Sequence, residues 1–560
     1  MRKFNRRDFL KIAGLGVAGT VLSSCKSMET GTPAKPNFLV ILVDDMGFSD
    51  TGCYGGDIRT PNIDKLAGNG LRFTQFYNTG RCWPSRACIL TGYYAQQVRR
   101  DELPGIAGGG HGARPKWAPL LPKLLKPLGY RSYHSGKWHV DGKPVEQGFD
   151  LSYQYDDSDR HFLPQKALDK IEKPLGSESP EGYYATTATA DQAIRQLREH
   201  ASQHTGTPFF SYVAFTEPHF PVQALQEDIN RYRDAYLKGW DKVRDERWAR
   251  MKEKGIVNCG LSKLDSDIVP GWNLKPEDLK KDIDSGEAAF AVSWDSLSDE
   301  QKRFHATKMA IHAAMVDRID QEIGRLLDQL KAMKVYDNTV VMFMSDNGAS
   351  AEQMNRGDKH DPLSPLGSAK SFICLGPGFS SAANTPLRLH KSWVHEGGIS
   401  TPLVVHWPAG IKAKGELRRD LGHLIDIPPT LLELAGGKWP EKWEDQDVPR
   451  IAGRSLVPAF HKDGGAGHDW LWWYHSDNRA IRAGDWKLVS KGKDGPWELY
   501  DLKTDRCESV NLADKHPDKV RELSENWTGK MEGFKKQAMS DGMFQPNAGK
   551  NKKTGKGRSK

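Results

Sequence analysis

A chain of 560 residues exceeds what a single hydrophobic core supports, so its length predicts one large domain with a smaller one beside it. With 38% hydrophobic and 27% charged residues the composition is that of a soluble globular protein, and no apolar run reaches the roughly 18 residues of a membrane-spanning helix. The formal charge of +8 sits at the two ends: residues 1–25 carry +4 and residues 545–560 carry +6, which leaves the body near −2 and excludes a broad basic surface for nucleic acid there.

The first 25 residues read as an address, not as structure. Asn5-Arg6-Arg7-Asp8-Phe9-Leu10-Lys11 resembles a twin-arginine export signal, Ile12 to Leu22 is a short apolar stretch, and Leu22-Ser23-Ser24-Cys25 resembles a lipobox. The resemblance implies export to the periplasm or cell surface, with a lipid on Cys25 as the only membrane attachment. A plain cleaved secretory signal keeps the compartment and loses the anchor. Residues 26–36 read as a tether, and residues 545–560, basic and poor in apolar side chains, as a disordered tail. The seven cysteines, at 25, 53, 82, 88, 259, 374 and 507, show no paired or metal-type spacing, which argues against a disulfide framework.

From Asn37 the chain alternates strand and helix patterns. Phe38 to Val43 is a continuous apolar run of strand length, the mark of a strand buried on both faces, and it ends in Asp44-Asp45. Gly129 to His134 ends in Ser-Gly-Lys137-Trp-His139. An amphipathic stretch, Ala185 to His200, leads to Phe209–Phe215, which ends in Thr216-Glu217-Pro218-His219. A second, Ala306 to Met333, leads to Thr339–Met344, which ends in Ser345-Asp346-Asn347-Gly348. Four predicted strands thus deliver polar residues just past their carboxyl ends, the edge at which open parallel α/β sheets bind ligands.

Residues 221–304, rich in Trp, Arg, Lys and Asp with a helical piece at Asp241–Lys254, read as an insertion over the mouth of that edge or as a solvated charged face. From about Arg454 to 544 the texture changes to short aromatic strands, Trp470–Tyr474, Asn478–Ile481, Trp486–Ser490 and Trp497–Tyr500, which predict a small antiparallel sheet. The catalytic part then spans 37–453.

Asp44, Asp45, Asp346 and Asn347 offer only oxygen donors, a set that suits a hard cation, calcium or magnesium, and not zinc. Between the first and second of these strands lies Cys82-Trp-Pro-Ser-Arg-Ala-Cys-Ile-Leu-Thr-Gly92. It resembles the signature Cys-x-Pro-Ser-Arg-x-x-x-Leu-Thr-Gly of type I sulfatases, whose cysteine is oxidised by a maturation enzyme to formylglycine. Asp44-Asp45-Met46-Gly47, Gly136-Lys137-Trp138-His139, Thr216-Glu217-Pro218-His219, Asp346-Asn347-Gly348 and Lys391-Ser-Trp-Val-His-Glu-Gly-Gly398 resemble further elements of that family, in its order.

The resemblance, which covers roughly Asn37 to Gly436 and continues into the aromatic strands, implies an alkaline-phosphatase-like α/β fold with a large, mostly parallel mixed sheet. It implies one divalent cation, most often calcium, on Asp44, Asp45, Asp346 and Asn347, with residue 82 as a further ligand and nucleophile. Arg86 then holds the nucleophile and pairs with the carboxylates, and Lys137 and Lys391 bind the sulfate. His219 protonates the departing alcohol, and His139 removes the proton that lets sulfate leave. The implied substrate is an organic sulfate ester, with a sulfated glycan favoured by an exported, anchored location. Ile399-Ser400-Thr401 follows Glu-Gly-Gly where many members carry an arginine, which puts a substrate contact there in doubt. Two other readings stay open: a phosphate mono- or diester hydrolase of the same superfamily, and a non-catalytic glycan-binding lipoprotein.

Overall fold

The computed structural model describes residues 35–104, 106, 112–155, 161–162, 182–356 and 359–542. The export signal, Cys25, most of the tether and the basic tail lie outside these residues. Nine strands make the main sheet: β1 (Asn37–Val43), β2 (Leu71–Tyr77), β3 (Arg131–Lys137), β4 (Leu151–Tyr155), β5 (Phe209–Ala214), β6 (Thr339–Ser345), β7 (Ser400–His406), β8 (Glu416–Arg418) and β9 (Gly422–His423). Their order is β4-β3-β5-β1-β6-β7-β2-β8, with β9 beside β2. β7 runs antiparallel to both neighbours, and every other pairing in the sheet is parallel. The sheet is therefore mixed and mostly parallel, as expected.

The continuous apolar runs are explained by two cores, one on each face. Leu39, Ile41 and Val43 of β1 and Val341 and Phe343 of β6 point into one. Phe38, Val40 and Leu42, with Val340, Met342 and Met344, point into the other. The first core is covered by helices Ala185–Gln203, Gly239–Glu253 and Asp299–Ala332, and the second by helices Cys82–Thr91, Ile427–Leu434 and Pro517–Ala538. Among the described residues no helix is long and apolar enough to cross a membrane.

Two boundaries differ from the sequence expectation for local reasons, and one strand carries no sequence pattern. The long helix starts at Asp299, seven residues early, because Ser298 and Gln301 form a capping box ahead of a polar first turn that carries no apolar period. β3 runs on through Ser135 and Gly136, so Lys137 is the last residue of the strand and not a loop residue beyond it. β7 carries Pro402, which reads against a central strand. It is tolerated because the β2–β7 register shifts between Phe73 and Phe76, opposite the proline, where the ladder is interrupted.

After the small hairpin β10 (Lys442–Trp443) and β11 (Gln446–Asp447), strands β12 (Trp470–His475), β13 (Asn478–Ala483), β14 (Trp486–Ser490) and β15 (Glu498–Asp501) form the antiparallel sheet that the aromatic texture predicted. One face packs on helix Pro517–Ala538, where Trp472 stacks on Trp527 with ring centroids 5.5 Å apart. The other face, through Leu471, Trp473 and Tyr500, packs on Tyr77, Val394 and Ile399 of the main body.

Candidate active site

Pairing of Val43 with Ser345 in the β1–β6 ladder sets Asp44 and Asp45 beside Asp346 and Asn347. The glycine in each motif has a steric cause. A Cβ on Gly47 would lie 2.3 Å from the Ala383 carbonyl, and one on Gly348 would lie 1.9 Å from the Gly397 oxygen.

Cations close around these acids from other strands. Lys137, at the end of β3, places Nζ 2.5 Å from Asp44 Oδ2. Lys391, in the loop that leads to β7, places Nζ 2.6 Å from Asp45 Oδ1. Arg86 donates from Nε to Asp346 Oδ2 at 3.0 Å, from Nη2 to Asp44 Oδ2 at 3.2 Å and from Nη1 to the Lys137 carbonyl at 2.9 Å. All of these side chains are buried. Asn347 donates its amide Nδ2 to Asp45 Oδ1 at 2.6 Å.

The buried charges shift one another. Burial pushes the Asp45 carboxyl up to about 7 against the pull of Lys391. Burial, aided by the neighbouring Asp44 charge, pushes Asp346 up to about 7 as well. Burial alone would also raise Asp44, but Lys137, His219, Arg86 and Lys391 together hold it well below the usual carboxylate range.

Asp44 Oδ1, Asp45 Oδ2, Asp346 Oδ1 and Asn347 Oδ1 are buried and accept no hydrogen bond. Leaving a buried acceptor unsatisfied costs about 1–3 kcal/mol each, so four together mark a set built for something other than protein donors. Their all-oxygen chemistry fits a hard divalent cation. Asp44, Asp45 and His219 also bring potential ligand atoms within 4.8 Å of one another. The Nδ1 of His219 faces the Phe220 carbonyl at 2.6 Å and so must donate there, which leaves Nε2, 3.8 Å from Asp45 Oδ2, to face the site.

Cys82 is the first residue of helix Cys82–Thr91, buried at 2% exposure, just past the carboxyl end of β2. The motif serine has a fixing role: Ser85 Oγ donates to the Asp346 carbonyl at 2.5 Å and accepts from the Thr79 amide at 3.1 Å. This ties the helix to β6. His139 is half-buried, two residues past β3, in a left-handed conformation with φ 56, its ring 5.9 Å from Trp83 and its carbonyl bonded by Arg100. The structure thus brings all ten sequence-predicted residues to one edge of the sheet, from positions 44 to 391.

The family model described as Sulfatase matches residues 36–437, and one described as N-sulphoglucosamine sulphohydrolase, C-terminal, matches residues 388–537. The chain belongs to the sulfatase family. It is a sulfatase of the alkaline phosphatase superfamily. An uncharacterized sulfatase of Schizosaccharomyces pombe is 34% identical over 542 residues, which cover 88% of this chain and 93% of that protein. An arylsulfatase of Klebsiella aerogenes is 28% identical over 429 residues, 72% of this chain and 87% of that protein. Among solved structures, one determined with its substrate D-glucosamine-2-N,6-O-disulfate matches with a TM-score of 0.59 at 22% identity, over 90% of this chain and 98% of that one.

Several side chains that hold this sulfatase site together carry no sequence pattern. Glu352 accepts from Arg81 and lies 3.6 Å from Lys391 Nζ. His161 contacts Glu217 Oε1 at 2.8 Å and donates to the His219 carbonyl at 3.1 Å, which fixes the loop carrying His219. From the small sheet, Trp473 donates to the Asn78 carbonyl and Asn478 to the Ser392 carbonyl, so both segments next to the site rest on it. The helical insertion is more than a solvated face: Trp240, Arg244 and Arg247 of helix Gly239–Glu253 are buried, with Arg247 paired to Asp50 and Asp57.

Proposed function

We propose that this sulfatase cleaves sulfate from a carbohydrate ester, with residue 82 as formylglycine and calcium on Asp44, Asp45, Asp346 and Asn347. The observation that carries this reading is the group of four buried, unsatisfied oxygens ringed by Lys137, Lys391 and Arg86, at the amino end of the helix that begins with Cys82. A hydrated aldehyde at residue 82 supplies a nucleophilic hydroxyl and a second hydroxyl from which sulfate can later be expelled. The cation supplies charge that favours the ionised hydroxyl and neutralises sulfuryl oxygens.

The chain's own residues do the rest. Lys137 and Lys391 are held by Asp44 and Asp45 with their ammonium groups at the sulfate position, where they orient the ester and offset its charge without reorganising. Arg86 spends its donors on Asp44, Asp346 and the Lys137 carbonyl, which fixes the carboxylates and steadies residue 82 one turn away. His219, its Nδ1 anchored on a carbonyl, gives the leaving alcohol a proton from Nε2. His139, next to Trp83, takes the proton whose loss releases sulfate. Two lysines in place of a second set of acidic ligands favour sulfate over phosphate esters. The sugar class is supported by the solved relative with a sulfated glucosamine substrate and by the export-type amino terminus.

The test is mass analysis of the Cys82 peptide from active protein. The expected mass is lower by two hydrogens and the exchange of sulfur for oxygen, and Cys82→Ala should have no turnover in a folded protein. Unmodified thiol in fully active enzyme, or a faster aryl phosphatase than sulfatase rate, would sink the reading. The lipobox resemblance adds that the enzyme is exported and anchored at Cys25, so that Cys25→Ser should move it from the membrane to the soluble fraction. Unchanged fractionation would remove the anchor.

A further inference from the structure

The sulfate end of the site is accounted for, whereas the ring that bears the ester has no assigned contact. Trp272, in the 221–304 segment, is one of the few large apolar side chains among the described residues left in water, 47% exposed. It is nevertheless held. Its indole Nε1 donates to Glu352 Oε1 at 2.8 Å, and its ring lies 5.5 Å from the Arg81 guanidinium, whose other neighbour is the Trp83 ring at 5.1 Å.

Glu352 is only 2% exposed, and the same Oε1 also accepts from Arg81 Nη1 at 3.2 Å. Its Oε2 accepts from Ser350 and faces Lys391 Nζ, which in turn pairs with Asp45. Arg81 directly precedes Cys82, and its Nη1 also donates to Ser392, next to Lys391. One continuous set of contacts therefore runs from Asp45 through Lys391 and Glu352 to an exposed indole beside Arg81, the residue that precedes Cys82.

We infer that Trp272 is the leaving-group platform, on which the ring carrying the sulfate ester stacks, and that Glu352 is its positioning residue. This rests on the sulfatase reading of the Cys82 site. An indole has no charge to offer a sulfate, but its face matches the apolar face of a pyranose. The Arg81 charge beside it is spent on Glu352. The platform is thus close to neutral, and the ring it takes is a neutral sugar unit whose one charge is the ester itself.

The experiment compares wild type, Trp272→Ala and Trp272→Phe on the sulfated hexoside that the wild type cleaves fastest from a panel differing in ester position, with inorganic sulfate as a competitive inhibitor. Trp272→Ala should raise KM about tenfold with kcat within about twofold, leave sulfate inhibition unchanged, and be largely rescued by phenylalanine. An unchanged KM, a parallel weakening of sulfate inhibition, or a phenylalanine variant no better than alanine would overturn the platform and leave the sulfatase reading standing. No sulfate release by the wild type from any ester would overturn the proposed function and the platform with it.

Discussion

Two of this protein's clusters of buried charge combine carboxylates with lysine and arginine, and they differ in how the carboxylates at their centres are satisfied. Around Glu396, in the turn that enters β7, Oε1 accepts from Lys487 at 2.9 Å and Oε2 accepts from Tyr77, Ser400 and Arg506 at 2.8, 3.0 and 3.2 Å. Around Asp44, Asp45 and Asp346 stand two lysines and an arginine, yet each carboxylate keeps one buried oxygen without a donor. The Glu396 cluster joins the small sheet to the main one, and both oxygens of Glu396 are satisfied within the chain. The strand-end cluster leaves one oxygen of each of its three carboxylates unsatisfied, the places that the proposed cation would fill. Buried charge alone is thus a poor marker of function, and several unsatisfied oxygens gathered at adjacent strand ends are a better one.

The contrast can be broken by measurement. Glu396→Ala takes one buried carboxylate from both Lys487 and Arg506, leaving Lys487 with Glu508 and Arg506 with the Thr74 carbonyl and Ser400, and should cost about 3–5 kcal/mol in denaturant unfolding. A loss under about 1 kcal/mol would show that the Glu396 cluster is not structural. Asp346→Asn should do the reverse, lowering kcat/KM roughly a hundredfold to a thousandfold while unfolding stays near wild type. A large stability loss with normal turnover would exchange the roles of the two clusters.

Calcium at a hundred times its dissociation constant should stabilise the wild type by about 2.7 kcal/mol, and chelation should remove that increment. Glu396→Gln should keep the increment and Asp346→Asn should lose most of it. The smallest effect is with acid. Although burial alone would raise it, Lys487, Arg506 and Arg482 bring the Glu396 carboxyl down from 4.5 to about 2. A depressed folded value gives stability that is fully present above about pH 4.5 and lost as pH falls toward 2. Glu396→Gln should flatten that part of the stability curve by up to one proton, and an identical slope would place the acid sensitivity elsewhere.

The site was legible where burial wrote a pattern. β1 and β6 are buried at every position and carry continuous apolar runs because both faces are covered, so their ends, and the acids after them, stand out. Cys82 to Gly92 was legible as a motif whose serine and arginine prove to be ties to Asp346. β2 and β7 were not legible: Leu71–Tyr77 mixes buried and half-buried positions, and β7 begins Ser-Thr-Pro, readable only once the facing bulge is known. Glu352, Trp272 and His161 were silent for another reason. Each is a single polar or aromatic residue in a loop, and its meaning comes from neighbours distant in sequence. The buried arginines of helix Gly239–Glu253 misled in the opposite direction, since a charged pattern reads as solvent-facing until Asp50 and Asp57 are seen to receive one of them.

The antiparallel course of β7 finally sets a clock. β2, which leads directly into Cys82, is held along its length by β7, with Leu71 opposite Val405 and Tyr77 opposite Ser400. Until the ribosome has delivered that later strand, the segment around Cys82 lacks a principal neighbour of the strand before it. At about 5–20 residues per second, the chain from Cys82 to His406 takes roughly 16 to 65 s to appear. A modifying enzyme that grips an extended peptide has that interval to act, before the helix beginning at Cys82 is sealed at 2% exposure. If residue 82 is converted as proposed, translation rate, and not only the abundance of such an enzyme, sets the fraction of molecules that carry the converted residue.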